Sequence, residues 1–65
     1  MKWVLIERRH INMNNVDLFI WEDGILYIFY SGDPIPSEVM DPDRELYLKM
    51  CRSQGVRPYE EDDNG

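Results

Sequence analysis

Apolar positions along the chain gather into three short runs and one helical stripe, with Asn, Gly and Pro marking the breaks between them. The runs are rich in Val, Ile, Phe, Tyr and Trp, which suit a pleated, half-buried surface. They predict strands over about Lys2 to Arg9, Asn15 to Trp21 and Ile25 to Ser31. Asn12-Met13-Asn14-Asn15 separates the first two, since Asn tolerates left-handed turn geometry. Glu22-Asp23-Gly24 separates the second and third.

The second turn sets the register. A two-residue Asp23-Gly24 loop places Trp21 opposite Leu26 and Phe19 opposite Ile28, so that both faces mix aromatic and aliphatic residues. A three-residue loop with Gly24 left-handed places Trp21 opposite Ile25. Val16, Leu18, Ile20, Leu26, Ile28 and Tyr30 then share one face, while Phe19, Trp21, Ile25, Tyr27 and Phe29 share the other. One slip exchanges the faces of a whole strand. The three-residue loop sorts the side chains more cleanly and is the expectation. Val4 and Ile6 would join the aliphatic face, and Trp3 and Leu5 the aromatic one.

Gly32, Pro34 and Pro36 make Ser31 to Met40 a connection without regular structure. A helix follows, about Pro42 to Gln54. Asp41 serves as N-cap, Pro42 suits the first helical position, and Asp43 and Glu45 favour the positive end of the helix dipole. Gly55 closes the helix in the left-handed conformation with Val56 folding back after it. Leu46, Tyr47, Met50 and Cys51 form one apolar stripe. The predicted class is α+β: a three-stranded antiparallel meander in order 1-2-3, one C-terminal helix across the aliphatic face, a single domain over residues 1–57, and a flexible acidic tail over residues 58–65.

Size then narrows the picture. The chain has 65 residues, and domains this small bury only about 60% of the surface exposed by the unfolded chain. One Cys and one His supply neither a disulfide nor a standard structural zinc site, so a partner chain is the natural reinforcement. No run approaches the roughly 18 to 20 apolar residues of a membrane span. A free thiol and no signal-peptide pattern suggest the cytoplasm. Net charge is −6, and Glu60, Glu61, Asp62 and Asp63 carry four of the negative charges. That balance argues against a general phosphate-backbone binder.

Candidate chemistry is sparse. Asp41, Asp43 and Glu45 lack the Gly and distal Glu of a calcium loop and read as a solvated helix start. Cys51 lies on the buried stripe without a partner base and reads as core. His10, within Arg8-Arg9-His10, reads as a solvated strand end, and Ser31-Gly32-Asp33-Pro34 as a turn. No catalytic, cofactor-binding or metal motif is present. What stands out is the aromatic face, Trp3, Phe19, Trp21, Tyr27 and Phe29, which one helix cannot cover together with the aliphatic one. Each ring offers about 150–250 Å² for burial. The expected function is a non-enzymatic protein–protein interaction module that uses these five residues to bind another protein or, as a homodimer, a second copy. The alternative structural reading folds Ile35 to Met40 and Val56 to Tyr59 over that face. Functional alternatives are a small acidic regulator of phage or mobile-element type that blocks a basic site on a partner protein, and an aromatic platform for single-stranded nucleic acid.

Overall fold

Trp3–Ile6 (β1) and Arg9–Asn12 (β2) form an antiparallel hairpin in the computed structural model, which describes residues 2–58. A 3-10 turn, Met13–Asn15, leads into Val16–Glu22 (β3), Ile25–Tyr30 (β4) and Ser37–Met40 (β5), and Glu45–Gln54 (α1) follows. β3, β4 and β5 make the antiparallel meander, in that order, while β1 and β2 form a separate two-stranded sheet. The chain is therefore α+β, with a three-stranded meander and one C-terminal helix.

The second and third expected strands form the meander as Val16–Glu22 and Ile25–Tyr30, but its third member is Ser37–Met40 and not the first expected strand. Lys2 to Arg9 is not one strand: the chain reverses at Glu7, whose φ is 60°. A continuous strand would point Arg8 to the same side as Val4 and Ile6. The reversal instead leaves Arg8 exposed and sets buried Ile11 opposite buried Val4. Ser31 to Met40 is likewise not all irregular. Its last four residues pair with β4 as an edge strand, and Pro34 and Pro36 stay outside the ladder, where a missing N–H costs nothing.

The register also differs from expectation. Trp21 pairs with Leu26 and Phe19 with Ile28, so the loop has two residues. Asp23 and Gly24 both have positive φ, 54° and 79°, the signature of the type I′ turn whose twist matches paired strands. A shift between Val16 and Leu18 makes Asp17 a bulge, so Val16 faces the same side as Phe19 and Trp21. Local turn chemistry outweighs the sorting of aromatic from aliphatic side chains, because a core accepts any apolar mixture of the right volume.

The inner face of the meander thus presents Val16, Phe19, Trp21, Leu26, Ile28, Tyr30 and Val39. The helix and hairpin form the second layer over it. Val4, Ile6, Ile11 and Met13 join Leu26, Ile28, Val39, Tyr47, Met50 and Cys51 in one buried cluster. The helix therefore docks on this mixed face and not on an all-aliphatic one. Tyr47 meets Phe19 edge to face at 5.7 Å, and Lys49 Nζ donates to the Leu5 carbonyl at 3.1 Å.

Asp41 caps the helix from further upstream than expected. Arg44, left-handed at φ 63°, precedes Glu45. The buried Asp41 carboxylate accepts the N–H of Leu46 at 3.0 Å and of Tyr47 at 2.9 Å, satisfying donors that a helix start leaves orphaned. At the other end Gly55 is left-handed, its N–H donating to the Arg52 carbonyl, while the Val56 N–H reaches that of Cys51. That pair of bonds is the Schellman closure. The expected tail lies outside the described residues from Tyr59 onward.

Candidate functional site

The five aromatic residues singled out by sequence are not brought together. Phe19 and Trp21 lie on the inner face, Tyr27 and Phe29 on the outer face, and Trp3 on the hairpin. Each group has a different environment.

Phe19 and Trp21 belong to the joint between helix and sheet. The Trp21 indole N–H donates to the Asp41 carbonyl at 2.7 Å. The Arg44 guanidinium lies 5.5 Å from the Trp21 ring centre and 5.2 Å from that of Tyr47, within cation–π range of both. A cleft of 280 Å³ is lined by Phe19, Ile20, Trp21 and Tyr47. Its rings hold the helix in place and bring no acid–base pair to the cleft.

Asp41 ties this joint together. Its N–H donates to the Gly24 carbonyl at 2.9 Å, its own carbonyl accepts from Trp21 and Arg44, and its carboxylate holds the helix start. One buried residue thus connects the β3–β4 turn, the Trp21 indole and α1.

The outer face is the open one. Side chains directly opposite in register point the same way, which places Leu18 beside Phe29, Ile20 beside Tyr27, and Ile25 between Glu22 and Met40. Glu38 stands on the other side of Tyr27. Leu18 is 46% exposed, Ile20 44% and Met40 69%, while Ile25, Tyr27 and Phe29 are half-buried. The Ile35 to Met40 segment does not fold over this face. Its strand extends the sheet sideways, and Val56 closes the helix end, half exposed. Six apolar side chains, three exposed and three half-buried, thus neighbour one another on this face, and grouped exposed apolar surface marks contact sites on soluble proteins.

Sequence reasoning placed Ile25, Tyr27 and Phe29 together correctly but missed Leu18, Ile20 and Met40. The Asp-Gly pair carried the signal for the first two, being the strongest short-range mark of a two-residue hairpin loop. Trp3, 52% exposed, and Leu5, 47% exposed, share the solvent side of β1.

Cys51 is buried and His10 exposed. Among the described residues, no group of three or more His, Cys, Asp or Glu side chains is placed to hold a metal ion. No helix among them is long and apolar enough to cross a membrane. The chain matches no family model, no curated protein and no solved structure.

Proposed function

We propose that the protein is a non-enzymatic docking module that binds another polypeptide chain through the outer face of its meander. The observation that carries this is the asymmetry of the sheet. Helix and hairpin cover the inner face, whereas Leu18, Ile20 and Met40 on the outer face remain exposed beside Ile25, Tyr27 and Phe29. A chain of 65 residues has little core to spare, so burying these six side chains against a partner stabilises both fold and complex. The docked chain is a second copy or a different protein, and a reducing cytoplasm suits the single buried thiol.

Site-specific photo-crosslinking inside the producing cell tests the proposal. A benzophenone side chain at position 20 is expected to give a discrete adduct with another chain. The same group at position 52, on the exposed side of the helix, is expected to give none. Equal labelling from both positions would overturn the docking role of the outer face.

A further inference from the structure

Resting on the docking role proposed above, we infer that the occupant of the outer face is a basic amphipathic helix of another protein, apolar along its centre and lined with Lys or Arg along its edges. The warrant is the segregation of charge by layer. Residues 16–40, which contain the whole meander, carry five acidic side chains and no Lys or Arg. Glu22 and Glu38 stand on the outer face itself, in register with Ile25 and Tyr27. Asp17, at the bulge, and Asp33, in the β4–β5 loop, mark one end of the sheet, and Asp23 in the turn marks the other. All five are exposed. Every Lys and Arg among the described residues lies between positions 2 and 9 or between positions 44 and 57.

An apolar centre ringed by one sign of charge selects its partner twice. The centre supplies burial, and the ring sets the sign of the partner's rim and speeds the approach of complementary charge. A second copy is a poor occupant, because it sets this acidic rim against itself and each chain carries a net charge of −6. Nucleic acid is poorer still, since its phosphates meet five acids without one compensating Lys or Arg. A helix suits the surface, because the apolar stripe of α1, Tyr47, Met50 and Cys51, already packs in one cluster with Leu26, Ile28 and Val39 on the other face of this sheet.

The 65-residue chain with labelled methyl groups, titrated with three synthetic helices, provides the test. One peptide carries Leu along one face and Lys on the rest, the second Leu and Glu in the same pattern, and the third Ser in place of Leu with the Lys kept. The Leu/Lys peptide is expected to shift the methyl resonances of Leu18, Ile20 and Met40. Its affinity is expected to fall roughly tenfold between about 50 and 300 mM salt, and the other two peptides are expected to bind at least about tenfold more weakly. A Glu22→Gln, Glu38→Gln variant is expected to lose roughly threefold to tenfold in affinity for the Leu/Lys peptide. Neutralising the tail with Glu60→Gln, Glu61→Gln, Asp62→Asn and Asp63→Asn is expected to leave the methyl shifts in place.

If the Leu/Glu peptide binds as tightly as Leu/Lys, the basic partner is overturned while docking on this face survives. If the Ser/Lys peptide binds as well, or tail neutralisation abolishes binding, simple charge attraction replaces the inferred partner. Concentration-dependent shifts of the same methyls without peptide would assign the face to a second copy and overturn the inference. If no peptide moves these methyls and position 20 gives no crosslink, the docking role itself fails.

Discussion

At the scale of single residues, Asp41 joins three parts of the structure. Its carboxylate meets two helix N–H groups while its backbone meets the β3–β4 turn and the Trp21 indole. Asp41→Ala strips the helix of both acceptors in a buried setting and is predicted to cost about 2–3 kcal/mol in chemical denaturation. Asp41→Asn keeps one acceptor oxygen and is predicted to lose less. Residue type and position marked Asp41 as a helix start. What the chain did not display was its reach, since the left-handed Arg44 separates cap from helix and nothing local requires that conformation. Cys51 and the Tyr47–Met50 stripe were legible for a simpler reason: helical spacing alone puts them on one side.

At the scale of elements, the hairpins decide which side chains are core. The β3–β4 turn needs positive φ at both Asp23 and Gly24. A β-branched residue is strained there, so Gly24→Val is predicted to cost roughly 1–2 kcal/mol, measured by thermal unfolding. The register itself is open to inspection by nuclear Overhauser effects. Contacts between Trp21 and Leu26 across the strands are expected, and a Trp21–Ile25 cross-strand pair would restore the three-residue loop. β4 was readable because its six residues are all β-favouring aliphatic or aromatic ones, with no polar or breaking residue among them. β1 and β2 were not, because the polar run Glu7-Arg8-Arg9-His10 serves equally as a strand end or as a turn followed by an exposed strand. β5 was masked by Pro34 and Pro36, which forbid a central strand and permit an edge one.

At the scale of the whole molecule, a two-layer fold turns one sheet face inward and leaves the other open. The two faces predict opposite responses to mutation. Leu26→Ala, within the buried cluster, is predicted to destabilise by about 2–5 kcal/mol. Ile20→Lys combined with Met40→Lys alters only exposed outer-face positions and is predicted to change stability by no more than about 0.5 kcal/mol per site while abolishing the shift of the Leu18 methyls by the Leu/Lys peptide. The presence of a surplus apolar face was legible from the count of apolar strand residues against one helix. Its membership was not, since it depends on a one-residue choice of register and on the bulge at Asp17, both settled by the folded backbone.

Methionine oxidation tests the open outer face most directly, because the fold places its own probes. Met40 is 69% exposed on that face, whereas Met13 at 3% and Met50 at 0% lie in the core. Exposure governs how readily peroxide converts Met to its sulfoxide. In the purified protein Met40 is predicted to oxidise well ahead of Met13 and Met50, as read by mass spectrometry. In a fresh extract of the producing cell, with rates normalised to an added Met-containing peptide, Met40 is predicted to be protected. Oxidation of Met40 at the same normalised rate in both settings, or as slowly as Met50 in the purified protein, would contradict an open face that a partner covers.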